Sequence, residues 1–487
     1  MSEALTTLIP LLREACGGDA VLTGDEERRG FDHDGITHRR SLPGVVVLPT
    51  TTEQVSAVLA LCAEHGVPFV PRGAGTGLSG GALPHREGVL LSTARMRRVI
   101  EIDPDNECAV VEPGVPNLDV TTAAAPHGYY YAPDPSSQAV CSVGGNVAEN
   151  SGGAHCLKYG FTATHVRGLE LVLPGGETVR LGGKAPDAPG YDLIRAIVGS
   201  EGTLGIVTRV TVGLTRLPER TVTLLAAFDS LDSGGAAVSA IVSSGLLPSA
   251  IEMMDALSVE AVNALMDTGY PTDAAAVLIV ELDGPAPDVD AHLAEVRDLC
   301  AEHGARATRT AADGGERARI WAGRKAAFDA VGAMSPAYVV QDEVVPRTAL
   351  PRVLRAIADL SAKTGIPVAN VFHAGDGNLH PLVMFDDTDP DGHRRAEEVS
   401  AAILDLCVAH GGSITGEHGV GTDKACSMPR MYSPDDLDTF DRLRRAFDPR
   451  GIANPDKLLP TPRLCGERPG VRRGVHPLVE SGRATQF

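Results

Sequence analysis

The chain of 487 residues carries a formal net charge of −20 at pH 7, and 43% of its residues are hydrophobic. The length predicts two or more domains. The acidic charge argues against nucleic acid or an anionic membrane surface as a partner, because both require a basic surface. The nine cysteines form no Cys-x-x-Cys pair, which is typical of reduced thiols in a cytoplasmic protein and excludes an iron–sulfur cluster carried by this chain alone. Without a signal-peptide pattern or an apolar segment of about 18 residues, we expect no membrane-spanning helix.

The first predicted elements are a helix and a strand. Thr51-Thr52-Glu53-Gln54 has the pattern of a capping box, and apolar residues at helical spacing continue to Gly66. This pattern predicts a helix over residues 51–65, followed by a short strand over residues 67–70.

A glycine-rich loop over residues 71–81 comes next and contains the pattern G-x-G-x-x-G at Gly75, Gly77 and Gly80. A dinucleotide-binding Rossmann turn must open into a helix, whereas a second strand over residues 88–91 follows this loop. The pattern therefore does not indicate NAD. We interpret the loop as a series of backbone N–H groups that wrap an anionic pyrophosphate; the alternative is a mobile glycine loop without a ligand.

Two further glycine-rich regions follow. The first covers residues 133–153 and includes Pro133-Asp134-Pro135 and the stretch from Ser142 to Gly153. The second covers residues 199–207 and precedes a strand that ends near Leu214. Small residues at this density allow a flat ring system to lie against the backbone. The three loops together predict an extended cofactor bound across one α+β domain that ends near residue 220.

The pattern changes after residue 220 to long amphipathic helices alternating with strands, which predicts a second α+β domain. The helices are expected over residues 293–303, 349–363 and 395–410, and the strands over residues 276–282 and 337–345. The region from Arg463 onward is rich in Arg, Gly and Pro without periodicity, and we expect a loosely ordered tail.

Residues 371–381 predict a β-hairpin, because two apolar runs flank an Asp-Gly turn. With Asp376 and Gly377 as the turn, His373 lies opposite His380, and their Cβ atoms are expected about 4.5–5.5 Å apart. This spacing suits two ligands of one divalent metal such as zinc. The alternative is a polar histidine pair at a sheet edge.

The glycine-flanked segment over residues 416–421 offers a carboxylate, Glu417, and a third imidazole, His418. Together with the hairpin histidines, these residues could form a catalytic metal site with one spare histidine.

These segments together resemble the FAD-linked oxidase family of the vanillyl-alcohol oxidase (PCMH-type) fold. Within it, they are similar to the FAD-linked subunit of glycolate oxidase and to D-2-hydroxy acid dehydrogenases such as D-lactate dehydrogenase. The resemblance covers about residues 40–460 and implies an α+β fold. The implied domains are a PCMH-type FAD-binding domain of two α+β subdomains (1–220), an α+β cap domain with an antiparallel sheet covered by helices (221–415), a C-terminal segment returning to the FAD domain (416–460) and a flexible tail (461–487).

The resemblance implies non-covalent FAD, with the pyrophosphate in the first loop and the flavin against the second and third loops. No histidine in the first loop matches the covalent attachment residue of some relatives, and His85 and His155 are the nearest alternatives. The implied FAD-binding residues are Pro71, Arg72, Gly73, Ala74, Gly75, Thr76, Gly77, Ser79, Gly80, Pro133, Asp134, Ser142, Gly144, Gly145, Asn146, Asn150, Gly152, Gly153, Tyr159, Glu201, Gly202, Gly205, Ile206 and Asn454.

The resemblance also implies that His373, His380 and Glu417 bind a divalent metal, zinc or manganese, and that His418 is a catalytic base. The metal would stabilise alkoxide developing on the substrate 2-hydroxyl, and a neutral imidazole would take the hydroxyl proton while hydride passes from C2 to flavin N5. Arg324 matches a family arginine that clamps the substrate carboxylate; the alternative is an exposed helical salt bridge.

Two departures from the family pattern bear on the substrate. Val340 and Leu382 stand where D-2-hydroxyglutarate dehydrogenases place a lysine and an asparagine, so the expected anchors for a distal carboxylate are absent. The resemblance therefore favours oxidation of glycolate or D-lactate to the 2-oxo acid. D-2-hydroxyglutarate oxidation, a transferase like the alkylglycerone-phosphate synthases, and a silent subunit that needs partners remain alternatives.

The expected partners follow from the same resemblance. The substrate is a small 2-hydroxy acid, and the electron acceptor is a quinone, an electron-transfer protein or an iron–sulfur partner subunit. We expect a homodimer or a complex with partner subunits, with no nucleic acid, in the cytoplasm and at the membrane only through a partner.

Overall fold

The computed structural model describes residues 2–36, 39–186, 189–335 and 337–460, so the predicted tail over residues 461–487 lies outside the described residues. The strands up to Arg216 are β1 Val21–Leu22, β2 Val45–Val47, β3 Phe69–Arg72, β4 Val89–Ser92, β5 Val99–Asp103, β6 Cys108–Val111, β7 Tyr129–Tyr130, β8 Val166–Val172, β9 Thr178–Gly182, β10 Ile206–Gly213 and β11 Thr215–Arg216. The helices are α1 Glu3–Cys16, α2 Asp25–Arg29, α3 Thr52–His65, α4 Asn117–Ala124, α5 Val143–Glu149, α6 Cys156–Tyr159, α7 Thr162–His165 and α8 Leu193–Ile197, with short 3-10 helices at Gly18–Ala20, Thr93–Arg95 and Ala125–His127.

These elements form two α+β layers. One sheet has the strand order β1-β2-β4-β3, and α1 and α3 pack their apolar residues against its core. The other has the antiparallel order β5-β6-β10-β8-β9. The predicted helix α3 is confirmed: the Thr51 hydroxyl accepts from the Gln54 N–H at 3.3 Å, and Gly66 ends the helix in the left-handed conformation.

The chain from β12 to α15 builds a third, larger layer. Its strands are β12 Arg220–Phe228, β13 Ala250–Asp255, β14 Ala276–Gly284, β15 Ala305–Thr310, β16 Ala337–Val340, β17 Glu343–Val344, β18 Val368–His373, β19 Asn378–Leu379 and β20 Pro381–Phe385. Its helices are α9 Leu231–Ser243, α10 Ala256–Leu265, α11 Ala286–Glu302, α12 Gly314–Lys325, α13 Ala327–Met334, α14 Leu350–Thr364 and α15 Gly392–Ala409, with a 3-10 helix at Arg347–Ala349. The C-terminal part adds a 3-10 helix at Ala425–Arg430 and α16 Pro434–Phe447.

The sheet of this layer has the antiparallel order β15-β12-β14-β13-β18-β19-β17, and β20 pairs with β18 and β16. Alternate residues of β12 pack against different helices: Leu224 belongs to the core with α9, α11, α14 and α15, and Leu225 to the core with α10, α12 and α13. Because both faces are covered, the central strands β12, β13, β14 and β18 are buried along most of their length, whereas the edge strand β15 is largely polar and exposed.

The predicted strand over residues 337–345 is wrong in detail. It is two strands, β16 and β17, which are separated at Gln341 and Asp342 and pair with different neighbours. The carboxylate of Asp342 lies at this break and is fully buried.

The predicted register of the histidine hairpin is also wrong. His373 pairs with Asn378 across a loop over residues 374–377, and the Gly377 N–H donates to the His373 carbonyl at 3.2 Å. The same register pairs Asn370 with Pro381, which sets His380 opposite Val371. The shift is two residues, an even number, so both histidines still lie on one face of the sheet as diagonal neighbours.

The C-terminal part of the described chain returns to the first sheet. The Asn454 N–H donates to the Phe69 carbonyl at 2.8 Å, and the Phe69 N–H donates to the Ile452 carbonyl at 2.9 Å. We propose Arg220 as the boundary between the FAD-binding and cap domains, because β12 begins there. Among the described helices, none combines the length and the apolar character needed to cross a membrane.

Candidate active site

A cavity of about 1430 Å³, counting space open to solvent, is enclosed largely by the three glycine-rich loops. Its lining also includes three residues that follow Arg220 in the chain: Phe328, Glu417 and His418. The predicted FAD-binding residues that line it are Pro71, Arg72, Gly73, Ala74, Gly75, Thr76, Gly77, Ser142, Gly144, Gly145, Asn146, Gly152, Glu201, Gly202, Gly205 and Ile206. The fold therefore brings the three loops and the predicted base to one cavity.

Other predicted FAD-binding residues lie outside the lining: Ser79, Gly80, Pro133, Asp134, Asn150, Gly153, Tyr159 and Asn454. Two of them form hydrogen bonds to backbone groups in or near the cavity wall. The Asn454 side chain donates to the carbonyls of Gly81 and Glu201, at 2.9 and 2.7 Å. The Asn150 side chain accepts from the Ala163 N–H at 2.8 Å.

Two glycines of the lining have no room for a side chain. Gly75 has φ +78°, and a Cβ there would lie 2.1 Å from the Arg72 guanidinium; Gly202 has φ +68°, and its Cβ would lie 2.2 Å from the Pro71 ring. The first and third loops therefore meet at the contact between Pro71 and Gly202, where only glycine fits.

Gly202→Ala is expected to lower FAD occupancy and thermal stability, because the added methyl meets the Pro71 ring in a backbone conformation that alanine disfavours. The matched control is Gly183→Ala, where a Cβ meets nothing within 4 Å. The flavin-to-protein absorbance ratio of the two purified variants measures the difference. Full FAD occupancy in Gly202→Ala at an unchanged melting temperature would contradict this account of the loop contact.

The three predicted metal ligands converge. His373 Nε2 and His380 Nε2 each lie 3.2 Å from Glu417 Oε1, and the two histidine ring centroids are 5.1 Å apart. Both histidines are buried, and the Glu417 side chain is 12% exposed. Two imidazoles and a carboxylate within a 4.8 Å group can ligate one divalent ion.

The hydrogen bonds of the two imidazoles fit a metal at this group. His373 Nδ1 lies 2.8 Å from Glu252 Oε1, and because a carboxylate only accepts, Nδ1 carries the hydrogen. His380 Nδ1 lies 3.3 Å from the Gln341 carbonyl, while its buried Nε2 has no hydrogen-bond partner among the described residues. Both Nε2 atoms face Glu417 Oε1 at 3.2 Å, so a divalent ion would replace the hydrogen bond at His373 Nε2 and bind histidines that are oriented through Nδ1.

The electrostatics of this group indicate a shortage of positive charge. Burial lowers the pKa of His373, but Glu252 and Glu417 outweigh it and hold that pKa well above its usual value. Burial raises the pKa of Glu417, but His373 and His380 hold it well below its usual value. A proton on His373 supplies the charge that a bound cation would supply instead.

His418 lies beside this group at the cavity wall. Its ring is parallel to that of His380, with centroids 5.1 Å apart and planes 9° apart. Its Nδ1 is 3.9 Å from Asp342 Oδ2. Burial is the main cause that lowers the His418 pKa below its usual value, which favours the neutral imidazole that can accept a proton.

Arg324 is buried, so the alternative of an exposed helical salt bridge is wrong. Its Nε donates to Glu252 Oε2 at 2.7 Å, and its buried Nη2 has no hydrogen-bond partner among the described residues. Arg324 does not line the cavity and reaches the metal group through Glu252. The predicted clamp is therefore separated from His373 by Glu252, and its Nη2 donors have no partner among the described residues.

The two histidines weighed as covalent flavin attachment sites do not line the cavity. The His155 ring lies 2.7 Å from Asp134 Oδ2 and 3.1 Å from Glu281 Oε1, and it packs against Trp321. His85 Nδ1 accepts from the Glu87 N–H at 3.2 Å.

The sequence did not predict Glu252, which lies within hydrogen-bond distance of the His373 ring, or Asp342, which accepts from the His418 backbone N–H. Both carboxylates are fully buried. A signal exists in the sequence, because each stands inside an apolar strand region, and a buried carboxylate needs hydrogen-bond partners. Phe328 was missed as a cavity residue, because its neighbours along the chain read as an ordinary helix.

Residues 43–182 match the family described as FAD binding domain, and residues 217–458 match FAD linked oxidases, C-terminal domain. The glycolate oxidase subunit GlcD of Escherichia coli (strain K12) is 49% identical over 462 residues, which cover 95% of this chain and 93% of that protein. The mitochondrial D-lactate dehydrogenase (cytochrome) of Arabidopsis thaliana is 32% identical over 453 residues, which cover 92% of this chain and 79% of that protein.

Two solved structures show the fold. p-Cresol methylhydroxylase with substrate bound has a TM-score of 0.79 at 20% identity and covers 94% of this chain and 97% of its own. An alkyldihydroxyacetonephosphate synthase has a TM-score of 0.72 at 20% identity and covers 92% of this chain and 84% of its own. The predicted α+β fold with a PCMH-type FAD-binding domain is confirmed.

Proposed function

Because the chain belongs to the FAD-linked oxidase family and is an FAD-dependent oxidoreductase of hydroxy acids, we propose that it oxidises a short D-2-hydroxy acid, glycolate or D-lactate, to the 2-oxo acid. One observation carries the proposal: Glu417, which meets His373 and His380, lies next to His418 at the wall of the glycine-lined cavity.

FAD is held non-covalently in this cavity. The loop from Pro71 to Gly77 offers backbone N–H groups to the pyrophosphate, and the small residues Gly144, Gly145 and Gly202 leave a flat wall for the isoalloxazine ring. Cβ atoms at Gly73 and Gly75 would fill this cradle or collide with its walls.

The protein's own residues divide the chemistry. When bound, FAD would accept the hydride from C2, and a divalent metal, zinc or manganese, would stabilise the developing alkoxide. His373, His380 and Glu417 would hold the metal. His418 takes the hydroxyl proton, and Arg324, whose side chain lies outside the cavity lining, holds Glu252 beside His373 by donating to Glu252 Oε2 at 2.7 Å.

The wall beside the histidines favours a short monocarboxylate. Phe328 lines the cavity, with its ring centroid 5.9 Å from that of His380. Phe328 packs in one apolar cluster with Val340 and Leu382. This wall offers no charged partner to a distal carboxylate, so the alternative substrate D-2-hydroxyglutarate is disfavoured.

Phe328→Ala is expected to widen the substrate range. Removing the ring should raise kcat/KM for 2-hydroxy acids with three or four more carbons, relative to glycolate, by about 10–100-fold. Steady-state kinetics on a series of 2-hydroxy acids measures this ratio, with Phe440→Ala on the exposed face of α16 as the control. An unchanged ratio would remove Phe328 from the substrate pocket.

Two alternatives remain to be separated from this proposal. A transferase is suggested by the structural likeness to alkyldihydroxyacetonephosphate synthase, but at 20% identity this likeness shows the fold alone. The second alternative is a subunit that is silent alone, because the named relative in Escherichia coli is a subunit. We propose that this chain works with partner subunits in the cytoplasm and passes electrons to a quinone, an electron-transfer protein or an iron–sulfur partner, but oxidises its substrate without them when an artificial acceptor is supplied.

Turnover by the purified chain with a soluble artificial electron acceptor tests the proposal. Reduction of the acceptor by glycolate or D-lactate is expected without any partner subunit. A transferase would leave the acceptor oxidised with every hydroxy acid, and so would a subunit that is silent alone; adding the partner subunits restores turnover only in the second case.

A further inference from the structure

Side chains accept hydrogen bonds from every backbone N–H group of residues 416–421, the loop that carries Glu417 and His418. The Gly416 N–H also donates to the Asp342 carbonyl, at 2.8 Å. The N–H groups of Gly416, Glu417 and His418 donate to the Asp342 carboxylate at 3.0, 3.2 and 2.9 Å, that of Gly419 donates to Thr415 Oγ1 at 3.1 Å, and those of Val420 and Gly421 donate to the Glu201 carboxylate at 2.7 Å each. Six successive amides thus have a side-chain acceptor.

The two carboxylates come from different layers of the fold. Asp342 stands at the break between β16 and β17, and Glu201 belongs to the third glycine-rich loop and lines the cavity. Both are buried, with relative exposures of 0% and 4%. The Thr415 hydroxyl joins the arrangement by donating to Asp342 at 2.6 Å. The loop is therefore fixed to the cap on one side and to the cavity wall on the other.

A carboxylate is the side chain suited to this task. It only accepts, so several N–H groups can converge on it, whereas a carboxamide at the same place turns its own NH₂ toward one of them. The negative charge of Asp342 faces the buried ammonium of Lys424, with Nζ 3.8 Å from Oδ2. Without the two carboxylates, the N–H groups of the loop would have no shared acceptor at either end.

We propose that Asp342 and Glu201 are positioning residues that hold Glu417 and His418 at a fixed place in the wall of the flavin cavity. What the loop does there rests on the proposed function; how it is held does not. A displacement of the cavity wall would move the loop, because Glu201 bonds to both. A displacement of the cap would move the same loop through Asp342.

Amide hydrogen exchange of the FAD-loaded protein, resolved to single residues, tests the proposal. In Asp342→Asn the amides of residues 417 and 418 should exchange faster, while Gly416 keeps the Asp342 backbone carbonyl as an acceptor. In Glu201→Gln the amides of residues 420 and 421 should exchange faster, and each variant should change the other set little. The limiting rate of flavin reduction by substrate, and the affinity for added Zn²⁺ or Mn²⁺, should fall about 10–100-fold in Asp342→Asn with FAD still bound.

Asp255→Asn is the control for a purely structural effect. Asp255 is also buried and accepts two backbone N–H groups, from Ser258 at 2.9 Å and from Asn370 at 2.8 Å. Its replacement should lower the melting temperature while leaving exchange over residues 416–421 and the reduction rate unchanged.

A milder pair keeps the test decisive if Asp342→Asn does not fold. Thr415→Val removes the hydroxyl that donates to Asp342 and accepts from Gly419, and Thr415→Ser retains it. Faster exchange and slower flavin reduction are expected in the first and rescue in the second. Unchanged exchange in all these variants, or faster exchange at an unchanged reduction rate, would overturn the positioning role. If no hydroxy acid reduces the wild-type flavin, the proposed function fails, and exchange and metal affinity still decide this inference.

Discussion

Replacing His418 with alanine is expected to slow reduction of the flavin by a hydroxy acid about 10²–10⁴-fold, which is the usual contribution of a positioned general base. FAD should remain bound, because His418 is one residue of a large cavity lining. Anaerobic stopped-flow absorbance measures the rate, and the flavin-to-protein ratio measures the cofactor.

The control for this variant is His127→Ala, which changes an exposed histidine far along the chain from the site. It should reduce its flavin at the wild-type rate. A wild-type rate in His418→Ala would contradict the assignment of His418 as the base, whereas loss of FAD from that variant would assign His418 to the cofactor site instead.

Replacing Glu417 with glutamine is expected to weaken binding of the metal and to lower turnover about 10²–10³-fold, because several kcal/mol of charge stabilisation are lost with the ion. The amide is nearly isosteric but carries no charge to meet His373 and His380, whose Nε2 atoms lie 3.2 Å from Oε1. Metal content after dialysis and steady-state turnover are the two measurements.

Glu398→Gln on α15 is the matched control, because its carboxylate is 62% exposed and pairs with Arg394 on the same helix. Stripping the wild-type protein with a chelator should reproduce the Glu417→Gln defect without loss of the yellow colour, and added Zn²⁺ or Mn²⁺ should restore turnover. A metal-free preparation with full activity would rule out the metal site.

Local patterns predicted much of the fold because the interactions that set them are local. The Thr51 cap and Gly66 define α3 from within the segment itself. The helices expected over residues 349–363 and 395–410 are found as α14 Leu350–Thr364 and α15 Gly392–Ala409, since their apolar stripes read directly at helical spacing.

The errors lie where contacts distant along the chain decide. The Asp-Gly turn predicted a two-residue hairpin, but pairing of β18 with β13 and β20 sets the register, and the loop over residues 374–377 follows from it. At the break between β16 and β17, the buried Asp342 side chain accepts hydrogen bonds from the loop over residues 416–421. Nothing near residue 342 in the sequence indicates a partner more than seventy residues away.

The candidate site shows the same division. Residue types indicated His373, His380, Glu417 and His418, because imidazoles and carboxylates with glycine neighbours are unusual in a core. The residues that hold them, Glu252 and Asp342, act only through hydrogen bonds that the folded chain creates. Sequence patterns therefore identify groups that can do chemistry more readily than groups that orient them.

The most direct test of the central claim is the anaerobic absorbance of the oxidised flavin band, followed while metal-replete protein is titrated in turn with D-lactate, L-lactate, glycolate and D-2-hydroxyglutarate. Bleaching by glycolate or D-lactate, with L-lactate and D-2-hydroxyglutarate without effect, is the predicted result. An FAD-loaded, metal-replete protein that none of the four acids bleaches would contradict the claim that this chain oxidises a short D-2-hydroxy acid.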